Sequence, residues 1–477
     1  MDIPAAPGAN LLGHAHHFRG DKRLPFLEQI AQLGDLVRAR FGYRWVYVVN
    51  SPALAHELLV EQAKKVEKSP GIRMLLHDFA GQGLFTSEGE LWRRQRRLLS
   101  PLFQPEKLAA YVQSMNEEAL SVREKLKDGE RVDLAHEMTR ITMSVVARAL
   151  FGSQTDEATD EIGEALTIAL GWVSDRMATP NMTLQLSLIA AVEAVKGKLP
   201  GVLEKKRAKL REVLDAPVLL PGRNDPKLVH AIQTLDKHIQ KMIDERRANP
   251  VDRKDLLTRL LLARDGELGG GGMSDKQVRD EANTLFVAGH ETTATALAWC
   301  FYLLAKDPVA KAKVQAEADQ FGPDGPTSFD AQKLAYTTQV FKEALRIYPP
   351  VIVLPRRSLV PIKLGSVEFP ERTLFFVNVY GMHRRPDVWP DPLRFDPDRF
   401  EPAAEASRHR SAWIPFGVGP RVCIGNFFAL MEGPIVLATL MRTLRFDVEP
   451  GTIEPETFAT LRPKGGVFAR VQRLNKA

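Results

Sequence analysis

Phe416-Gly417-Val418-Gly419-Pro420-Arg421-Val422-Cys423-Ile424-Gly425 is the stretch on which the reading of this chain turns. Its glycines let a backbone turn tightly and approach a bound planar group. It leads into an apolar run, Asn426 to Leu440, that reads as a helix. A helix N-terminus just behind Cys423 points N–H groups at the sulfur and favours its anion. Phe416 is placed to keep the sulfur dry, and Arg421 to pair with a carboxylate. A lone free cysteine is more often a small buried core residue. Four spaced residues around Cys423 reverse that balance. Cys300 has no such surroundings and is read as core.

Working outward, hydrophobic residues make up 44% of the 477 and charged residues 26%, which leaves ample material for a core. Two cysteines exclude a disulfide scaffold and a Cys-rich zinc or iron–sulfur site. Low cysteine use fits a reducing cytoplasm. The net charge of +6 is mild for this length and carries no clustered nucleic-acid footprint. The N-terminal MDIPAAPGANLLGHAHHFRG lacks the charged-then-apolar order of a signal peptide. No run reaches the ~18 apolar residues of a membrane span. The nearest, Ala294 to Ala305, reads as the end of a buried helix.

Residues 1–20 read as an extended Pro/Gly-rich arm. Leu36 to Val49 reads as a hairpin around Gly42, and Ser51-Pro52 opens a helix. Pro70-Gly71 to Gly89 reads as a long loop, and Glu90 to Leu102 as a basic helix. Residues 106 to 260 are mostly helical in pattern. Gly269 to Gly272 is a flexible break before a helix capped by Ser274, running from Asp275 to about Ala305. Further helices end at Pro349-Pro350. Strands are expected from Val351 to Val379, a Pro-rich meander from His383 to Phe400, and a hairpin around Gly465-Gly466 within Ala459 to Val471. Helix exceeds strand, with no internal repeat and no linker.

The opening segment resembles the cysteine loop of the cytochrome P-450 superfamily, Phe-x-x-Gly-x-Arg-x-Cys-x-Gly, at every fixed position. The resemblance extends from about Leu36 to Val471. It implies a mostly α fold with small β-sheets, forming one large haem domain over residues 1–477. It implies heme b with Cys423 as the axial thiolate ligand, which pushes electron density onto iron and favours O–O cleavage. Phe416, Gly417, Arg421 and Gly425 are then cofactor contacts.

The long helix contains Ala288-Gly289-His290-Glu291-Thr292-Thr293, which resembles the family's oxygen-activation motif. Leu285, Ala288, Gly289, Thr292 and Ala296 share one face at helical spacing. Gly289 costs helix stability, so its presence wants a reason. In this reading Ala288 and Gly289 leave room for oxygen, while Thr292 and Glu291 manage protons. The bland alternative is a Thr292 hydroxyl bonded back to its own helix. His290 lies off that face and is not read as a ligand.

Three further resemblances place supporting residues. Glu343-Ala-Leu-Arg346, with Arg399, resembles the family's buried brace, although i,i+3 charges are usually a surface pair. Trp92, Arg96 and Arg356 are expected to serve the haem carboxylates together with Arg421. Asp78-Phe-Ala-Gly-Gln-Gly-Leu-Phe85 closely resembles a loop of soluble bacterial fatty-acid hydroxylases, which puts Phe85 over the haem. Leu285, Ala288, Val351, Val353, Ala459 and Thr460 complete an apolar substrate pocket. Residues 183–219 form a longer, basic segment where the family keeps its access lid. An amphipathic surface helix is the simpler reading; an enlarged lid or contact surface is the sharper one.

The implied reaction is insertion of one oxygen atom from O2 into a lipophilic small molecule: a fatty acid, terpenoid or steroid. No flavin or nicotinamide module is apparent, so electrons come from a separate ferredoxin or flavodoxin. Arg93, Arg94 and Arg97 are expected to form a solvent-facing patch for that acidic donor. A monomer in the cytoplasm, without a transmembrane anchor or nucleic-acid partner, is expected. The rival readings are a peroxide-driven enzyme and a non-enzymatic haem sensor.

Overall fold

The computed structural model describes residues 3–10, 13–42, 44–152, 156–177, 179–249, 251, 255–263, 271–327 and 333–474. Gly269 and Gly270 of the glycine run lie outside these described residues.

The helix Asp275–Lys306 is the axis of the molecule. Its 32 residues span ~48 Å at 1.5 Å per residue. It starts on a capping box, in which Ser274 accepts from the Gln277 N–H and the Gln277 side chain returns to the Ser274 N–H. It packs against the helix Leu134–Phe151 on one flank and against Ala335–Ile347 and Asn426–Met441 on another. It is buried along most of its length, so its hydrophobic residues face several ways and show little amphipathic contrast. Cys300 is fully buried there.

The largest sheet has five strands, in the order Leu36–Phe41, Arg44–Val49, Leu374–Val377, Leu354–Ser358, Val66–Lys68. The first two form the expected antiparallel hairpin, with Leu36 opposite Val49. Ser51 caps the helix after it. Two residues of the N-terminal arm bond to this hairpin's edge: the Ala6 N–H donates to the Arg38 carbonyl at 2.8 Å, and the Arg38 N–H to Pro4 at 2.9 Å. The fold is thus mostly helical with small sheets, as the sequence implies.

Three expectations need correction. Pro70–Ala80 is a helix, not a loop. Ser69 caps it, Pro70 sits in its first turn, where a missing N–H costs nothing, and Met74, Leu75 and Phe79 bury its face. Val351 to Val353 is not strand; pairing begins at Leu354, after Pro349-Pro350. Gly465-Gly466 does not close a hairpin. Leu461–Pro463 pairs with Pro455–Thr457, whereas Phe468–Arg473 pairs with Leu444–Val448 and Arg131–Asp133. The two glycines, both at positive φ, let the chain pass from one sheet to the other.

Candidate active site

The Cys423 loop is closed by its own backbone. The Cys423 N–H donates to the Phe416 carbonyl at 2.9 Å, and Gly417 N–H to Ile414 at 3.0 Å. Gly417 and Gly419 both have positive φ. At Gly419 a Cβ would lie 2.3 Å from the Leu59 carbonyl oxygen, so only glycine lets these two backbones meet. The Ile414 N–H donates to the buried His383 ring at 3.0 Å, which ties the loop to the interior. Cys423 is exposed, and burial in its surroundings pushes its thiol pKa up. The Gly425 N–H and the Arg96 guanidinium oppose the burial effect and favour the thiolate. Arg96 itself donates to the Val422 carbonyl at 2.9 Å, one residue before the sulfur.

The central helix has an uncovered patch in its buried length. Ala288 is exposed, and Val287, Gly289, Glu291 and Thr292 are half-buried, whereas the turns on either side are buried. The Thr292 hydroxyl donates to the Ala288 carbonyl at 2.8 Å, the self-bonded arrangement that any helical threonine can adopt. Glu291 turns to the C-terminal segment, where its carboxylate accepts from the Thr460 hydroxyl at 2.9 Å. Burial raises its pKa, with Thr460 and Arg462 pulling the other way. His290 is buried on the far side, and its Nδ1 lies 2.9 Å from the Phe286 carbonyl oxygen. Gly289, within this patch, also faces a neighbouring helix. A Cβ there would lie 2.9 Å from Val146, so its reason is close packing of two helices.

Three cations gather near one carboxylate. Glu88 binds Arg421 and the Lys68 N–H, and lies 3.7 Å from the Lys68 ammonium. Arg356 is buried nearby. Burial, with Arg421 and Arg356 adding repulsion, pushes Lys68 down to about 7 against the pull of Glu88. Arg356 falls to about 10 through burial and the nearness of Arg421. Arg421 is thus engaged by Glu88 and not free for a bound carboxylate alone, and its guanidinium lies over Trp92 at 4.5 Å. Arg357 faces elsewhere: it pairs with Glu67 and with Glu193.

Behind the loop lies the brace. Arg346 binds Glu343 through two bonds of 2.7 and 2.8 Å, and both side chains are fully buried. Arg346 also donates to the carbonyls of His383 and Pro392, and Arg399 Nε lies 3.5 Å from Glu343. The pair holds the meander that leads to the cysteine loop, so it is not a surface pair.

The Cytochrome P450 family pattern matches residues 4–469. This chain belongs to the cytochrome P450 family. Cyclooctatin synthase of Streptomyces melanosporofaciens is 34% identical, over 94% of this chain and 90% of that protein. Pentalenene oxygenase of Streptomyces avermitilis is 30% identical, over 96% and 94%. A solved structure titled cytochrome P450DA heme domain superposes with a TM-score of 0.80 at 23% identity, covering 99% of this chain and 97% of the other, which shows the shared fold. As a member of this family, the P450 is a haem-thiolate monooxygenase that uses O2, electrons from a redox partner and lipophilic substrates. Among the described residues no helix is long and apolar enough to cross a membrane.

The residues of this P450 fit its haem. An accessible sulfur, an uncovered Ala288–Thr292 patch and a cluster with more cations than carboxylates suit an iron, a flat apolar ring and two carboxylates respectively. Three contributors were missed in the sequence. Lys68 ends a three-residue strand and carries no motif. Asp280 and Glu281 of the central helix accept from the Gln82 and Leu84 N–H groups at 2.9 Å each, which fixes the loop carrying the half-exposed Phe85. Close packing of that loop on the helix also explains Gly83, where a Cβ would meet Thr284. Of the expected pocket residues, Val351, Val353 and Ala459 are half-buried, while Leu285 and Thr460 are buried. Leu285 packs in the main core, and Thr460 is committed to Glu291.

Proposed function

We propose that this P450 hydroxylates or epoxidises a lipophilic small molecule of the terpenoid class, with Cys423 as the thiolate ligand of its haem. The observation that carries the reading is the exposed Cys423, held in a loop closed by its N–H on the Phe416 carbonyl at 2.9 Å, with Arg96 bonded beside it to the Val422 carbonyl. When bound, the haem supplies dioxygen activation, assisted by the thiolate's electron donation. The rest is the work of side chains. The Gly425 N–H and Arg96 stabilise the thiolate; Phe416 and Gly417 shape its loop. Lys68, Arg356 and Trp92 would receive the haem carboxylates, while Glu88 holds Arg421 in place. Thr292 and Glu291 hold protons for the oxygen chemistry, and Thr460 orients the Glu291 carboxyl. Phe85, Ala288, Val351, Val353 and Ala459 offer the substrate an apolar surface.

The terpenoid class rests on relatives named for pentalenene and cyclooctat-9-en-7-ol, 30% and 33% identical to this chain. The test is a spectral titration of the holoenzyme with cyclic terpenoids and with long-chain fatty acids. Terpenoids should displace the resting ligand and then yield products that have gained one labelled oxygen from 18O2. A response confined to fatty acids would contradict the class.

For the electron donor we favour a ferredoxin or flavodoxin meeting the monomeric enzyme near Arg93 and Arg97, which are exposed. Arg94 drops out of that patch, because its guanidinium donates to the Gly271 and Gly272 carbonyls at 3.0 and 2.7 Å.

A further inference from the structure

The backbone of Leu84 is gripped from two sides. Its N–H donates to the Glu281 carboxylate at 2.9 Å, and its carbonyl accepts from Lys68 Nζ at 2.9 Å. Glu281 belongs to the central helix, and Lys68 ends the strand Val66–Lys68. The next residue is Phe85, 49% exposed between the buried Leu84 and Thr86. Around it the loop from Gly81 to Ser87 holds together as one piece. The Thr86 hydroxyl donates to the Gly81 carbonyl at 2.8 Å, and the Ser87 N–H to Gly83 at 2.9 Å. On the loop's other side, Gln95 donates to the Gln82 carbonyl at 2.7 Å. Such a piece shifts as a unit, so its ties to the central helix set where Phe85 stands.

The two carboxylates that receive this loop differ. Asp280, which takes the Gln82 N–H, is also bound by Lys276 at 2.9 Å and Arg279 at 2.7 Å. Glu281 is fully buried, and its second oxygen has no hydrogen-bond partner among the described residues. Burying a carboxyl so sparsely bonded costs free energy that an apolar residue in its place would not. Folding alone therefore does not account for it, whereas its bond to Leu84 does. Burial pushes its pKa up to about 8, with Asp280 adding to the rise and the Leu84 N–H and Lys68 opposing it. Near neutral pH it is mostly a neutral acid, whose carbonyl oxygen still accepts from Leu84. Glu281 also marks a place along the helix. Ala288 follows it by seven residues, two turns on along the same face and ~10 Å along the axis. The loop thus meets the helix just before the uncovered Ala288–Thr292 patch, with Phe85 at the near end of it.

We propose that Glu281 is a specificity-determining residue: by holding Leu84 it fixes how far the Phe85 ring stands over the Ala288–Thr292 patch, and so how bulky a molecule fits beside that patch. It acts through Phe85 and touches no substrate, which makes it a positioning residue. The inference rests on the reading of Phe85 and Ala288 as walls of a haem pocket. It does not depend on the substrate class, because its test reads loop exchange and the binding of small azoles rather than turnover.

The probes are imidazole and 4-phenylimidazole, titrated into the haem-loaded protein and read by the shift of its Soret band. Imidazole reports the haem site alone, whereas the phenyl group needs room beside it. Exchange of the backbone amide hydrogens over residues 82–87 is followed by mass spectrometry. Glu281→Leu keeps the helix face filled but removes the acceptor. Exchange in the loop should then quicken about tenfold, with haem content and imidazole affinity unchanged. The preference for 4-phenylimidazole over imidazole should rise by about tenfold. Glu281→Ala should act in the same direction, which frees the test from how well leucine fits. Glu281→Gln keeps an acceptor of the same shape and should restore both readings. Phe85→Ala should raise the azole preference by itself, and adding Glu281→Leu to it should raise it no further. Parental exchange or a parental preference in both the leucine and alanine variants overturns the proposal. So does a further rise in the combined variant, because Glu281 would then act on the pocket by another route. A parent without any azole shift overturns the haem reading and this inference with it, whereas a parental shift with an unmoved preference in the variants overturns this inference alone.

Discussion

The Thr460 hydroxyl donates to the Glu291 carboxylate at 2.9 Å, joining the C-terminal segment to the residue that precedes Thr292. The geometry is fixed from behind. Trp299 donates to the Leu461 carbonyl at 2.9 Å, and the Leu461 N–H to Pro350 at 3.1 Å. Burial raises the Glu291 pKa, and the Thr460 bond partly offsets it by favouring the charged form. Thr460→Val should therefore raise the Glu291 pKa further. The pH profile for coupling of product to electrons should move to higher pH, and Thr460→Ser should restore it. An unshifted profile in the valine variant would remove Glu291 from proton handling.

Thr292→Ala deletes the hydroxyl that donates to the Ala288 carbonyl at the uncovered patch, together with one methyl group. Haem content and substrate affinity should stay near the parent's, while electrons are diverted to peroxide several-fold. Peroxide released per electron pair is the measurement, and parental coupling would count against the role.

Glu343→Ala leaves the fully buried Arg346 without its paired charge. Removing one partner of such a pair costs ~3–5 kcal/mol. The variant should fold poorly and fail to retain haem, as read by absorbance and thermal melting. A stable, haem-loaded variant would show that the brace is dispensable.

Gly289→Ala places a methyl group 2.9 Å from Val146. Overpacking costs ~1–3 kcal/mol, against a helix-propensity gain of ~1 kcal/mol. A lower melting temperature is expected, recovered in Gly289→Ala/Val146→Ala. If the single variant is as stable as the parent, the glycine answers to the uncovered patch instead.

The parts of this site that were legible in the sequence are those written in contiguous residues. The Phe416–Gly425 loop and the Ala288–Thr293 turn each hold their chemistry within one element, so spacing alone exposes them. The Arg421 partner was not legible, because Glu88 reaches it from 333 residues away. The contact of Gly289 with Val146 is hidden for a related reason: helical spacing places a residue on a face but does not say which helix crosses it. The Pro-Gly start of Pro70–Ala80 resembles a turn in sequence, whereas Ser69 makes that proline the first turn of a helix. The strands around Gly465-Gly466 diverge because their partners lie elsewhere in the chain, a choice that local alternation cannot reveal.

The central claim is that Cys423 ligates the haem iron as a thiolate. Its most direct test is the absorption spectrum of the reduced protein under carbon monoxide, taken on the parent and on Cys423→His. The parent should show the long-wavelength Soret band that a thiolate ligand produces, and the variant should bind haem without it. A thiolate band that persists in Cys423→His would contradict the account.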